Sequence, residues 1–211
     1  MRHHILYLFD IKSGNIFNLT NDWFSDMDIS RKDKIDLNGK NVTVIGVGRS
    51  GVAAAQLAYE LGANVFISDV SDSEEVQNVL KKLMDQGIAG ETGGHTEKIH
   101  EADLWIISPG VPKDSEIINN AQNNKIPIVS EIEFASWFTM APIVAVTGSN
   151  GKTTTVNMLY EMCKTDDVDP VLSGNIGNPF ADVVRNDLTD QNPNRVHILE
   201  ISSFQMEFIQ H

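Results

Sequence analysis

The chain has 211 residues, of which 29 are acidic and 16 are basic, so its net charge is −13. An apolar share of 41% is enough to bury a core, and this length can form one large domain or two small ones. The strong negative charge argues against a nucleic-acid partner held through phosphate contacts. A single cysteine, Cys163, excludes an internal disulfide framework and suits a reducing cytoplasm.

No stretch of the sequence approaches the roughly 20 apolar residues that a membrane-spanning helix needs. The apolar core of a secretion signal is also missing. The sequence therefore predicts a cytoplasmic protein without a membrane partner, and we expect a monomer.

Residues 1–36 have no clear hydrophobic period and are predicted to be an extension with one strand at 5–9. From residue 37 to 139, apolar strands alternate with helices, which predicts an α/β, Rossmann-like domain with a doubly wound parallel sheet. The predicted strands of this domain are 41–47, 64–68, 103–107 and 126–129. The predicted helices are 52–61, 73–86, 116–123 and 131–138.

A glycine-rich turn at 46–51 (GVGRSG) follows the first of these strands and opens the first helix. Asp69 comes about twenty residues later, at the end of the next strand, as in dinucleotide-binding units. In that setting Gly46 permits the tight turn, Gly48 lets a phosphate approach the backbone, and Gly51 lets the helix pack on the strand. Asp69 would accept hydrogen bonds from a nucleoside. The pattern predicts a nucleotide-type ligand without saying which one.

A second phosphate loop follows the strand predicted at 143–146 and precedes a helix predicted at 156–164. Strand, glycine turn, Lys-Thr and helix are the layout of a P-loop, in which backbone amides and the helix dipole hold phosphates. Lys152 would bring a mobile charge to the terminal phosphates, and Thr153 would offer a hydroxyl to Mg²⁺. The general pattern places its first glycine where this chain has Val146, so the loop is a shortened variant.

Two further strands are predicted at 171–172 and 196–201, with a helix at 180–185 between them. The last strand carries Glu200 near its carboxyl end, where it would hold Mg²⁺ directly or through water as the acidic partner of the P-loop. A P-loop sheet has about five or more parallel strands, and only three are predicted here. The sequence therefore predicts that the domain at 140–211 is incomplete.

Other short stretches accompany these loops: GGH at 93–95, SPGVP at 108–112, GNIG at 174–177 and LEISSFQME at 199–207. Together with the loops at 46–51 and 147–154, they resemble the Mur ligase family over residues 37–211. The Ser-Ser-Phe-Gln run at 202–205 is the most specific element. The stretches before residue 139 are similar to those of the family members that add D-glutamate.

The resemblance implies an ATP-dependent ligase that adds D-glutamate to UDP-N-acetylmuramoyl-L-alanine in peptidoglycan precursor synthesis. In that family reaction a substrate carboxylate attacks the γ-phosphate of ATP and becomes an acyl phosphate. The amine of D-glutamate then displaces phosphate, which gives an amide. ATP and Mg²⁺ are the implied cofactors, and the two small-molecule substrates are the implied partners.

The resemblance also assigns roles to individual residues. Lys152 and Glu200 would be catalytic, and Thr153 and Glu200 would hold the metal. ATP would lie on Gly148, Ser149, Asn150, Gly151, Lys152, Thr153 and Thr154. The sugar nucleotide would lie against Gly48, Arg49, Ser50, Asp69, Gly110, Asn175 and Ser202, with its diphosphate at the first three and its uracil at Asp69.

The implied domains are an extension at 1–36, a UDP-binding domain at 37–139 and part of a central ATP-binding domain at 140–211. The family also uses a modified lysine, a histidine and a third, amino-acid-binding domain, which would come after residue 211. We therefore expect residues 1–211 alone to lack ligase activity, and His211 does not replace the family's histidine.

Three alternatives stay open at this stage. The glycine turn and Asp69 also fit an NAD-dependent oxidoreductase, although that function leaves Lys152 and Glu200 without a role. A non-catalytic nucleotide-binding module is the second alternative. The third is a sibling ligase of the L-alanine-adding or folylpolyglutamate type, against which the Ser-Pro-Gly and Ser-Ser-Phe-Gln stretches favour the D-glutamate enzyme.

Overall fold

The computed structural model describes residues 7–10, 15–18, 35–112, 115–190 and 192–206. The strands are β1 (Tyr7–Asp10), β2 (Asn15–Asn18), β3 (Asn41–Ile45), β4 (Asn64–Asp69), β5 (Ala89–Thr92), β6 (Leu104–Ile107), β7 (Ile128–Ser130), β8 (Ile143–Thr147), β9 (Asp169–Gly174) and β10 (Arg195–Glu200). The helices are α1 (Arg49–Glu60), α2 (Glu74–Asp85), α3 (Glu116–Asn123), α4 (Glu131–Ser136), α5 (Lys152–Cys163), α6 (Phe180–Asp187) and α7 (Ser203–Met206), with a 3₁₀ helix at Glu97–His100. Over these residues, no helix is long and apolar enough to cross a bilayer.

The first sheet contains five parallel strands in the order β5-β4-β3-β6-β7, which confirms the predicted Rossmann-like fold. All four residues of β6 are apolar and buried, as expected of a strand covered by helices on both faces. The strand order reverses between β3 and β6, which pair although β4 and β5 separate them in the chain. Ligands of such sheets bind at this reversal, beyond the carboxyl ends of the strands. The glycine turn after β3 lies there.

The second sheet has the order β2-β1-β8-β10-β9, and only the β1–β2 pair is antiparallel. The sequence predicts three strands in this region, and the structure adds β1 and β2 next to β8. The strand predicted at 5–9 overlaps β1, and its residues 5 and 6 lie outside the described residues. Strand β9 is longer than predicted because Asp169 and Pro170 also pair with β10. Proline is tolerated there because β9 is an edge strand.

The two sheets share a layer of helices. Helices α1 and α4, which pack on the first sheet, both contact α6, which packs on the second. One continuous apolar cluster includes Phe134 and Trp137, at the end of the first α/β unit (residues 37–139), and Phe180 and Val184 of α6. The burial of large aromatic side chains in this layer stabilises the contact between the sheets.

A buried carboxylate lies in the same layer. Glu131 is 1% exposed, and its Oε1 accepts a hydrogen bond from the Ala181 amide at the start of α6 (2.9 Å). Its Oε2 has no hydrogen-bond partner among the described residues. Burial raises the pKa of Glu131 to about 7; the amides of Ala181 and Phe180 oppose this increase and the Asp182 charge adds to it. Glu131 therefore changes its charge near neutral pH, at the joint between the two units.

A buried histidine contacts the segment of chain that connects the two sheets. His197 of β10 is fully buried, and its Nε2 lies 2.9 Å from the Thr139 hydroxyl, within the segment that joins α4 to β8. Burial and the nearby Arg195 charge lower the pKa of His197 to about 4. The imidazole is therefore neutral at physiological pH, which lets it remain in the apolar layer beside Phe180.

We expect Glu131 to make the free energy of unfolding dependent on pH. Because its pKa is raised from 4.5 to about 7, the folded state holds the proton more tightly than the unfolded state. The stability that this provides is complete below about pH 4.5 and decreases as the pH rises through about 7. Glu131→Gln keeps an acceptor for the Ala181 amide without the charge. The variant should match the wild type at pH 4 and exceed it by up to about 3 kcal/mol at pH 8.

Urea unfolding of both proteins at several pH values measures this difference. The matched control is Glu133→Gln, which changes a buried carboxylate of the same helix whose Oε1 accepts from the Trp137 indole. Parallel stability curves for the wild type and Glu131→Gln between pH 4 and pH 8 would contradict the assignment.

Candidate nucleotide-binding sites

The glycine turn between β3 and α1 is closely packed. A methyl group at Gly51 would overlap the carbonyl oxygen of Gly46, and one at Gly46 would lie 2.7 Å from the Ser108 Cβ atom. Gly46 itself has a φ of 104°. This packing lets α1 begin directly at the carboxyl end of β3, with Arg49 as its first residue.

Asp69 fixes the shape of this turn. Its Oδ2 accepts a hydrogen bond from the Val47 amide (2.7 Å), and its Oδ1 accepts one from the Ser71 amide (2.8 Å). The carboxylate therefore links the end of β4 to the turn after β3. Gly110 is exposed in the neighbouring turn after β6, so it lies at the same edge of the sheet as Asp69 and the glycine turn.

A polar cluster follows the next strands of the same edge. The Ser68 hydroxyl lies 2.9 Å from Glu91 Oε1 and 2.7 Å from His95 Nδ1. The backbone amide and hydroxyl of Thr96 donate to Glu91. Burial raises the pKa of Glu91, but the hydrogen bonds from Thr96 and Ser68 and the nearby His95 outweigh it, so the pKa is lowered. The cluster fixes the Gly93-Gly94-His95 turn beside the ends of β4 and β5.

The second loop connects β8 to α5. Helix α5 begins at Lys152 rather than at the predicted residue 156, because Gly151 adopts a left-handed conformation (φ 78°) and turns the chain into the helix. The β-branched residues at 153–155 have low helix propensity, so the sequence pattern places the start of this helix too late. Lys152 Nζ donates to the Gly148 carbonyl oxygen (2.8 Å), so the ammonium group lies over the loop.

The helices after these two loops have an unusual charge pattern. Among the described helices of eight residues or more, α1 and α5 have no acidic residue in the first turn, whereas α2, α3 and α6 each have one or two. Their cap positions are Gly48 and Gly151, and no described side chain caps either helix. The first amides of α1 and α5 therefore present a partial positive charge that favours an anion.

Glu200 occupies the centre of the second site. The side chain is 2% exposed, at the end of β10, with Val146 and Gly174 as its strand neighbours. Its Oε2 accepts from the Thr153 hydroxyl (2.7 Å), and its Oε1 accepts from the Asn175 side-chain amide (2.7 Å). Residues from three different segments therefore meet at one carboxylate.

The run after β10 has a local role that the sequence interpretation missed. The Ser202 hydroxyl accepts from the Gln205 amide (3.3 Å), and the Gln205 side-chain oxygen accepts from the Ser202 amide (2.9 Å). This reciprocal pair is a capping box, and its S-x-x-Q pattern is visible in the sequence. Ser202 therefore stabilises the start of α7 next to Glu200.

One contact joins the two sites directly. Arg49 Nη2 donates to the Gly177 carbonyl oxygen (2.7 Å), which belongs to the loop between β9 and α6. No pattern could have indicated this contact, because 128 positions separate the two residues.

The profile of the Mur ligase MurD-like N-terminal domain matches residues 40–130. The chain also aligns with many ligases at about 40% identity, and the UDP-N-acetylmuramoylalanine–D-glutamate ligase of Pelodictyon phaeoclathratiforme is 41% identical over 179 residues.

The chain belongs to the Mur ligase family.

Ligases of the same name from Chlorobium limicola and Koribacter versatilis are 40% and 38% identical over 177 and 180 residues. The alignments cover 82–83% of this chain but only 37–38% of the three ligases. The chain therefore spans somewhat more than a third of the length of the curated relatives it matches.

The fold of this Mur ligase chain brings most of the predicted site residues into two groups. Gly48, Arg49, Ser50, Asp69 and Gly110 lie at the carboxyl edge of the first sheet. Residues 148–154, Asn175, Glu200 and Ser202 lie at the carboxyl edge of the second. The resemblance places Asn175 and Ser202 against the sugar nucleotide, and in the structure they form hydrogen bonds with Glu200 and Gln205.

Gly174 provides a test of how closely β9 must approach Glu200. A methyl group at Gly174 would overlap the Glu200 carbonyl oxygen, whereas one at Gly110 would meet no atom within 4 Å. Both glycines have similar φ values, 100° and 105°, so alanine strains the backbone comparably at either position. We expect Gly174→Ala to lose about 1–3 kcal/mol more stability than Gly110→Ala. Chemical unfolding measures the difference, and equal losses in the two variants would contradict the close contact.

Proposed function

We propose that this chain is the UDP-binding and ATP-binding part of a ligase that adds D-glutamate to UDP-N-acetylmuramoyl-L-alanine in peptidoglycan synthesis. The observation that carries the proposal is the Glu200 carboxylate, held between Thr153 and Asn175 beside the Lys152 loop. The similarity to ligases of that name over 82% of the chain supports the choice of reaction. Within this proposal, residues 37–139 bind the UDP group, residues 140–211 bind ATP, and 1–36 are an extension.

The second site fits ATP with Mg²⁺ by the chemistry of its donors. A hydroxyl and a carboxylate oxygen, Thr153 Oγ1 and Glu200 Oε2, lie together beside the uncapped amides of α5. Magnesium prefers such oxygen ligands and shares them with substrate phosphates. When bound, Mg²⁺ would offset the negative charge that the phosphates carry during transfer.

The residues of this chain contribute positioning and charge. In the proposed site, Lys152 releases the Gly148 carbonyl and donates to the terminal phosphates. The amides at 148–154 cradle the remaining phosphates, and Asn175 keeps the Glu200 carboxylate oriented. The substrate carboxylate then attacks the γ-phosphate of ATP, which forms an acyl phosphate and releases ADP. The D-glutamate amine attacks the acyl carbon, which forms the amide and releases phosphate. Little covalent help is needed, because alignment and electrostatics dominate phosphoryl transfer.

The first site fits the diphosphate of a sugar nucleotide. The first amides of α1 have no acidic neighbour in their own turn, and Arg49 stands at the same helix end. We propose that Gly48, Arg49 and Ser50 bind the diphosphate, with Asp69 toward uracil and Gly110 nearby. Asn175 and Ser202 complete the proposed substrate set between the two sheets. Since both nucleotide substrates are cytoplasmic metabolites, we also propose a cytoplasmic location. The oligomeric state that we propose is a monomer.

Binding of Mg·AMP-PNP tests the ATP site. We expect the 211-residue protein to bind it, and Lys152→Gln to weaken the affinity about tenfold or more, because a charge-assisted hydrogen bond to phosphate is lost. The matched control is Lys164→Gln, which removes a lysine at the opposite end of α5, where its ammonium lies over the Tyr160 ring. Isothermal titration calorimetry measures all three affinities.

The same protein separates the ligase from the oxidoreductase alternative. Titration with UDP-N-acetylmuramoyl-L-alanine should change the fluorescence of the buried Trp105 and Trp137, and NADH should bind far more weakly. Tight binding of NADH without binding of the UDP-sugar would overturn the proposed function, as would equal Mg·AMP-PNP affinities for the wild type and Lys152→Gln.

A further inference from the structure

Residues 175–179, which we name the bridging loop, connect β9 to α6 between the two candidate sites. On one side Gly177 accepts the Arg49 hydrogen bond (2.7 Å). On the other side, the backbone amide and the side-chain amide of Asn175 donate to Glu200, to its carbonyl oxygen (2.8 Å) and to Oε1 (2.7 Å). The bridging loop therefore contacts the first residue of α1 and the central carboxylate of the P-loop site.

The far end of the bridging loop is also held from the first unit. It leads into α6, whose second residue, Ala181, donates its amide to the buried Glu131 Oε1. Helix α6 packs in addition against α1 and α4. A displacement of the first unit relative to α6 would therefore move the loop that positions Asn175.

Arg49 has the chemistry to respond to a ligand. A guanidinium presents five N–H donors in a rigid planar fork. Among the described residues, the structure gives it one hydrogen bond, from Nη2 to Gly177. Arg49 is the first residue of α1, where the proposed diphosphate binds, so the donors that Gly177 does not use would be available to a phosphate oxygen.

We propose that Arg49 is a positioning residue that couples the two nucleotide sites through the bridging loop. This inference rests on the proposed function. A diphosphate at the glycine turn would order the guanidinium, which strengthens its hydrogen bond to Gly177 and holds Asn175 and Glu200 in the arrangement that binds nucleotide at the P-loop. Because coupling is reciprocal, occupancy of the P-loop must tighten diphosphate binding by the same factor.

The test measures the Kd of Mg·AMP-PNP with and without saturating UDP, by calorimetry on the 211-residue protein. For the wild type, we expect UDP to tighten Mg·AMP-PNP binding about fivefold or more, at the lower end of typical couplings because Arg49 is exposed. Arg49→Lys keeps the charge but loses the fork, so its coupling factor should fall to near one while Mg·AMP-PNP still binds. UDP concentrations are raised for this variant to maintain saturation.

Arg185→Lys is the matched control. Arg185 also crosses between the units, from α6 to Glu60 of α1 (3.3 Å), but it lies away from both loops. This variant should retain the wild-type coupling factor. Equal loss of coupling in both variants would mean a general loosening of the joint and would overturn the role of Arg49.

The remaining outcomes are also decisive. Full coupling in Arg49→Lys, or wild-type protein that binds both ligands independently, overturns the inference and leaves the proposed function standing. Wild-type protein that binds neither ligand overturns the proposed function and this inference with it.

Discussion

The buried carboxylate of Glu200 is the constraint on which the second site depends. A carboxylate that is almost fully removed from water is destabilising unless its oxygens are hydrogen-bonded. Here Thr153 satisfies one oxygen and Asn175 the other, at 2.7 Å each. This requirement brings the start of α5 and the end of β9 to the same strand end. The absence of a side chain at Gly174 permits that approach, because any larger residue would overlap β10.

The contact between the two sheets combines a stabilising contribution from apolar burial with a destabilising one from a buried carboxylate. Helices α1, α4 and α6 bury a continuous apolar cluster, which stabilises the contact, but they also enclose the carboxylate of Glu131. That group accepts an amide of α6 and keeps one oxygen without a partner among the described residues. A purely apolar residue would avoid this penalty, whereas the carboxylate fixes the position of the α6 amino end. We therefore interpret Glu131 as a residue that lowers the stability of this contact and in return defines the arrangement of the bridging loop.

Much of this arrangement could be predicted from the sequence. Strands such as 104–107 are continuously apolar, and the glycine turn at 46–51 and the loop before Lys152-Thr153 have local patterns that indicate strand–turn–helix units. The meeting of Thr153 with Glu200 also follows, because parallel strands bring their carboxyl ends to one edge. The start of α5 and the capping role of Ser202 were missed although local signals existed, a left-handed glycine position and an S-x-x-Q spacing.

The long-range contacts could not be predicted in this way. The Arg49–Gly177 hydrogen bond and the Glu131–Ala181 hydrogen bond join residues 128 and 50 positions apart, and they depend on how the helices of two sheets pack. The pairing of β1 with β8 is of the same kind, since nothing in the local pattern of Tyr7–Asp10 specifies its neighbour.

A crystal structure of the protein with Mg·AMP-PNP tests the central assignment most directly. We expect the terminal phosphates to lie within hydrogen-bonding distance of Lys152 and of the amides at 148–154, with Mg²⁺ bound by Thr153 and Glu200, directly or through water. A nucleotide bound elsewhere, with the Lys152–Gly148 and Thr153–Glu200 hydrogen bonds intact and the loop closed by side chains, would contradict it.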